Sequence, residues 1–299
     1  MPRAFMDLAD GPPVAALTTL MPDGCPHTTV VWCDLDGAYL RVNTMRGFRK
    51  EKNMRQRPQV TLLCFDPREP LRFLEVRGTV VEMTDTGALE HLDSLSRRYT
   101  GLAPYFGACV PAALADIEEP ILCRIEPTHI VTLDCRTPGL PPHRPHEAVP
   151  PPPDAATASS ALQVPASHLD LLLGPVHAVL TTLMPDGQPQ SSLVWCDYDG
   201  ECARVNTTLE RRKGRNLGAD PRASLLVVDA DNTARFLAIR GDVQLVPDPS
   251  AEHLDALTRQ YTDHPRYYGC VFPADQQQRE TRVVCRLHAR KMTMDAIHS

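Results

Sequence analysis

Two short basic runs carry the most chemistry in this 299-residue chain: Arg46, Arg49, Lys50 and Lys52 in one, Arg211, Arg212, Lys213 and Arg215 in the other. Each follows a strand-like segment ending in Asn-Thr (Asn43-Thr44 and Asn206-Thr207), and each opens a segment of helical composition. A strand end that passes into a helix start presents unpaired backbone N–H groups and the positive end of the helix dipole, and Arg and Lys add charge-assisted hydrogen bonds to a phosphate. The expected site is an anion clamp in duplicate: Asn43, Thr44, Arg49, Lys50 and Asn53 in the first run, and Asn206, Thr207, Arg211, Arg212, Lys213 and Asn216 in the second. A charge run is more often a solvated helix face. Here, though, the chain is acidic, with a net charge of -6, and it repeats Arg, Lys and Asn at one spacing.

Other chemistry-bearing residues point less sharply. Tyr99, Tyr105, Tyr261, Tyr267 and Tyr268 are candidates to donate a proton or orient a substrate, and equally candidates for packing with a satisfied hydroxyl. Trp32 and Trp195 read as core rather than cofactor platform. No nucleophile and base pair is apparent, so no catalytic residue is assigned. The ten cysteines include no CxxC spacing and several sit in apolar runs such as TLLCF, which fits buried free thiols and no metal site.

Composition excludes several classes. An acidic chain has no basic field for non-specific nucleic-acid binding. No apolar run reaches the roughly 18 residues of a membrane span, and Met1 to Asp10 is interrupted by acidic residues where a signal peptide needs a continuous apolar stretch. A cytoplasmic protein acting on a small molecule, with neither nucleic acid nor membrane as partner, is expected.

The elements that must position the clamps come from a repeat. Residues 11–80 align with residues 174–243 at a constant offset of 163 without a gap, and 35 of these 70 positions are identical. LTTLMPDG, VWCD and RVNT recur in register, and EHLD recurs one residue out of it. Two domains are expected, 1–137 and 166–299, joined by a Pro-rich linker, 138–165, whose composition cannot bury a core. Alternating apolar runs broken by Pro-Asp-Gly and Asp-Gly predict six strands per copy, with HTTVVWCD as one of them. A helix over Arg49 to Arg57 stops at Pro58, and the period of Ala88, Leu89, Leu92 and Leu95 predicts a second over Thr86 to Tyr99. The fold class is mainly β: a small barrel with flanking helices in each copy.

The ordered set of MPDG, RVNT, RK..N, LL.D and RFL..RG resembles the pyridoxamine 5'-phosphate oxidase-like split barrels, in particular their flavin and deazaflavin (F420-dependent) oxidoreductases. The resemblance covers both copies. It implies two tandem split barrels paired as an intramolecular pseudo-dimer, monomeric as a chain, with Lys50 and Lys213 as phosphate lysines. Backbone groups of Thr28 to Trp32 and Ser191 to Trp195 would face the ring system. Arg211, Lys213 and Asn216 match the Arg-x-Lys-x-x-Asn pattern of the deazaflavin members; copy one has Phe48 where that arginine stands, so one competent site is expected. The implied cofactor is coenzyme F420, with FMN as the alternative. The Arg-x-Val/Leu-Leu-Lys run of FMN-binding members is missing, and Arg55, Arg57 and Arg222 are extra cations for an anionic polyglutamate tail. The implied activity is hydride transfer from reduced F420 to a conjugated organic substrate. A non-enzymatic haem-binding protein ligated by His91 or His253 is the competing class.

Overall fold

Apolar residues rich in Val, Leu, Ile and Thr, punctuated by Gly and Pro turns, build nearly every element as antiparallel strand. The computed structural model describes residues 1–11, 14–135 and 162–295, which divide into two units. The first runs α1 (Met6–Asp10), β1 (Val14–Leu20), β2 (Pro26–Val31), β3 (Cys33–Asp36), β4 (Tyr39–Met45), α2 (Arg49–Gln56), β5 (Gln59–Phe65), β6 (Arg72–Thr84), α3 (Ala88–Thr100) and β7 (Pro120–Asp134). The second repeats it: α4 (Asp170–Leu173), β8 (Ala178–Leu183), β9 (Pro189–Val194), β10 (Cys196–Tyr198), β11 (Ala203–Thr208), α5 (Arg212–Ala219), β12 (Arg222–Val228), β13 (Phe236–Pro247), α6 (Glu252–Tyr261) and β14 (Arg282–Met294).

Each unit has a seven-stranded sheet, where six strands were expected. The extra strand arises because the run HTTVVWCD divides at Trp32. Its first half, β2, pairs with β1, and its second half, β3, pairs with β4. In the order β2-β1-β5-β6-β7-β4-β3 these halves lie at opposite edges, so two adjacent segments of chain end both sides of one sheet. Only a sheet that curls back on itself allows this, which makes each unit a split barrel. The second unit divides in the same way at Trp195, between β9 and β10.

A tyrosine holds each division. The Tyr99 hydroxyl accepts from Cys33 N–H at 3.1 Å and donates to Cys33 C=O at 3.0 Å. Tyr261 meets Cys196 in the same manner, at 3.1 and 2.9 Å. The rings stack on Trp32 and Trp195, with centroids 5.4 and 5.3 Å apart. These two tyrosines are therefore occupied by backbone, which removes them as proton donors.

Inside each barrel the inward residues form an apolar core: Leu17, Val42, Leu62, Val76 and Ile125 in the first unit, Leu180, Val205, Leu225, Ile239 and Leu287 in the second. Of the ten thiols, all free, seven are buried, and Cys135 and Cys270 are exposed. The repeated Arg-Gly of the long strands marks a bulge, where a Cβ on Gly78 would lie 2.5 Å from Glu126 O and one on Gly241 1.8 Å from His288 O. Only glycine fits so close a backbone approach. In α3 the inward stripe is Ala88, His91, Leu92 and Leu95, while Leu89 faces outward. Residues 138–161 of the expected linker lie outside the described residues. Val164, within the same span, is buried in the core of the second unit. Among the described residues, no helix is long and apolar enough to cross a membrane.

Replacing Tyr261 by Phe strands the N–H and C=O of Cys196 without their partner. Urea unfolding should show a loss of about 2 kcal/mol, and an unchanged midpoint would refute the clasp.

Candidate functional site

The repeated motifs meet in one hydrogen-bonded network that sequence reasoning missed. Asp34, from VWCD, accepts from Arg41 Nε and Nη2 at 2.8 and 2.6 Å, and His91, from EHLD, approaches the same carboxylate through Nε2 at 3.1 Å. Asn43, from RVNT, donates to Ala88 C=O at 2.8 Å and lies 3.3 Å from His91 Nδ1. Asp197, Arg204, His253 and Asn206 repeat the pattern, with Asn206 donating to Asp248 instead. The recurrence of these letters in both copies, in register but for the one-residue slip at EHLD, was the available signal. Burial works against ionisation of Asp34, but hydrogen bonds from His91 and Arg41 outweigh it and hold the carboxyl down to about 2. Both ring nitrogens of His91 and of His253 are engaged, so neither histidine offers a nitrogen to haem iron.

Asn43 and Asn206 thus tie β4 and β11 to the helix behind them. Asn53 and Asn216 perform the parallel service at the clamp: their side-chain amides donate to Thr19 and Thr182, each at 2.9 Å, and fasten α2 to β1 and α5 to β8. These four residues position the clamps through bonds they already make.

What stands at the helix starts is cationic. Good helix formers carry α2 from Arg49 to Gln56, and Pro58 prevents its extension. Phe48 and Arg211 occupy the N-cap positions in extended conformation with no side-chain cap, leaving the first-turn amides that a helix cannot pair with itself. Arg49, Arg211 and Arg212 are exposed and Lys213 half-buried, with a loose ion pair from Arg211 to Glu280 at 3.8 Å. Lys50 is only 6% exposed and has no hydrogen bond or ion pair with the described residues. Its ammonium lies 5.8 Å from the Phe48 ring centroid, and burial lowers its pKa to about 8.

Lys50 and Thr44 are related through one residue of the neighbouring strand, Cys123. Thr44 shares a sheet face with Val42, the cross-strand neighbour of Cys123, and the Lys50 charge acts on that same cysteine. In the second unit Thr207, Val205, Cys285 and Lys213 stand in the same relation. The hydroxyls of Thr44 and Thr207 are buried without a hydrogen-bond partner, as are those of Thr29 in β2 and Ser192 in β9. An orphaned hydroxyl near the same strand end of both units, ahead of a cationic helix start, suits a fold-level site for a polar, phosphate-bearing ligand. The residues present therefore fit a flavin-type cofactor.

The extra cations do not extend this field. Arg55 pairs with Glu51, Arg57 donates to Pro22 C=O at 2.8 Å, and Arg222 pairs with Asp220. Arg46 is held by Glu119 and Asp85. Of the remaining tyrosines, Tyr268 bonds to Glu280 and Arg282, and burial pushes both Tyr105 and Tyr268 up to about 12.

A curled antiparallel sheet divided at one strand, with a basic helix start at a strand end, defines the split-barrel class of cofactor-binding proteins. The sequence pattern of pyridoxamine 5'-phosphate oxidase matches residues 1–133 and again 164–294. The chain belongs to that family, as a tandem duplication. Among solved structures, an F420 reductase is 35% identical, with a TM-score of 0.39, and the match covers 44% of this chain and 98% of that one. A conserved hypothetical protein from Mycobacterium tuberculosis is 27% identical (TM-score 0.36; 46% and 87% covered). A putative pyridoxamine 5'-phosphate oxidase from Listeria innocua is 22% identical (TM-score 0.30; 40% and 88% covered). Each match spans less than half of this chain, about the length of one unit.

Two pH effects follow. The folded Asp34 carboxyl titrates at about 2, below its ordinary 3.8, so its contribution to stability is present above pH 4 and lost as pH falls towards 2. Acid unfolding of Asp34→Asn should lack that portion of the slope. Lys50 titrates at about 8 rather than 10.5, so the cost of its buried charge is complete below pH 8 and relieved between pH 8 and 10.5. Lys50→Met should raise stability at pH 7 by about 2 kcal/mol, and remove the gain on going alkaline. A variant less stable than the parent at pH 7 would refute the uncompensated charge.

Proposed function

We propose that the chain is an oxidoreductase that uses coenzyme F420 and reduces a conjugated, electron-poor organic substrate. The observation that carries this reading is the second clamp: Arg211, Arg212 and Lys213 at the start of α5, beside the buried, unpartnered Thr207 hydroxyl at the end of β11. The family supplies the coarser frame, since the matched pattern is that of an oxidase acting on a phosphorylated substrate.

When bound, the reduced deazaflavin supplies hydride chemistry that no side chain here could perform. The protein's part is to hold and to orient. Lys213 and the two arginines meet phosphate charge, α5 adds its first-turn amides, and the Thr207 hydroxyl gains the partner it lacks. Asn216 keeps the helix start in place through Thr182. Preference for F420 over FMN rests on the Arg211, Lys213, Asn216 spacing and on the missing Arg-x-Val/Leu-Leu-Lys run. Because Arg55, Arg57 and Arg222 are all engaged elsewhere, a polyglutamate tail gains no support from them.

Fluorescence titrations with F420 and with FMN test the reading. Lys213→Ala should weaken binding of the preferred cofactor about tenfold or more, the worth of one charge-assisted hydrogen bond, with the unfolding midpoint unchanged. Undiminished affinity would overturn the site, and tighter binding of FMN than of F420 would transfer the proposal to FMN.

A further inference from the structure

The two clamps descend from one design, yet their helix starts differ at two positions that decide whether an external anion can enter. In the first unit Glu51 occupies the third residue of α2 and is 3% exposed. Its carboxylate accepts from Gly47 N–H at 3.2 Å through Oε2 and pairs with Arg55 through Oε1. A negative group of the chain itself already sits where the helix dipole favours an anion. In the second unit the equivalent position is Gly214, and the first turn of α5 contains no acidic residue. No side chain can replace it without movement of the backbone, because a Cβ there would lie 2.0 Å from Thr208 O.

The second difference lies over the lysine. Phe48 packs with Met45, Leu92 and Tyr105 in a small apolar cluster, and the Lys50 ammonium lies beneath its ring, buried. At the equivalent place the second unit has Arg211, exposed, and Lys213 is only half-buried. Where one clamp covers its lysine with an apolar ring, the other adds a cation beside it. Arg46, the nearest substitute for the missing arginine, is held by Glu119 and Asp85.

We infer that the first clamp is closed by its own residues, with Glu51 as an internal anion and Phe48 as a cover, so that each chain binds one phosphate-bearing cofactor, at the second clamp. The inference rests on the proposed function for the nature of the ligand. A phosphate entering the first clamp would have to approach the buried Glu51 carboxylate or displace it. Displacement leaves a buried carboxylate without its amide and guanidinium partners, and the tethered group competes at high effective concentration.

Equilibrium titration of the full chain with F420, and separately with FMN, reads the stoichiometry. The expected result is one cofactor per chain, lost in Lys213→Ala. In Glu51→Gln, and in a second variant carrying Phe48→Arg with Glu51→Gly to copy the open clamp, the number should rise towards two. Circular dichroism confirms that each variant is folded. Two cofactors on the parent chain, or one retained at full affinity by Lys213→Ala, would overturn the inference while leaving a cofactor-binding protein. Folded variants that both stay at one would refute the roles of Glu51 and Phe48. A parent chain that binds neither cofactor would instead sink the proposed function, and the inference with it.

Discussion

In each unit one extended run must serve two edges of its own sheet, and the backbone where it changes partner has no neighbouring strand to bond. At Cys33 and Cys196 a tyrosine hydroxyl takes up both orphaned groups. That contact places the C-terminal ends of α3 and α6. The position of α3 in turn carries His91 to Asp34, and Asp34 fixes Arg41, with Asn43 reaching the other side of the imidazole. The end of β4 is thus held from behind, and the clamp it leads into inherits that rigidity.

The polar groups that remain unsatisfied are as informative as those that are paired. The Asn43, Asn206, His91 and His253 side chains find partners across the element boundaries, as low-dielectric interiors require. Among the unpaired buried hydroxyls of the described residues, two sets recur at equivalent positions in the two units, Thr29 with Ser192 and Thr44 with Thr207. At the second clamp an external anion is the partner that the Thr207 hydroxyl lacks, because an orphaned buried group carries a cost; in the first, closed by Glu51 and Phe48, the Thr44 hydroxyl keeps the duplicated position without that partner.

Duplication also separates framework from function inside a single molecule. Residues that tie the helices to the sheet, such as Asn53 and Asn216 with their threonines, are the same in both units. At the helix starts the copies part: Phe48 against Arg211, and Glu51 against Gly214. These changes alter charge and cover at the clamp and leave the barrel intact.

Much of this was legible in the chain. The offset of 163 revealed two homologous units, alternation with turn residues revealed strands, and Pro58 marked the end of α2, since repetition, side-chain period and backbone restriction are all local properties. The basic helix starts were legible for the same reason. The division of HTTVVWCD at Trp32 was not, because its residues suit an extended chain throughout and only the curl of the sheet determines which edge each half meets. Nor could spacing tell that Asn53 would be spent on Thr19, that Tyr99 would bond to Cys33, or that Glu51 would turn back to Gly47. Each of these depends on where a side chain finds a donor or acceptor in three dimensions, and that is decided by packing between segments distant in sequence or by the local turn of the helix start.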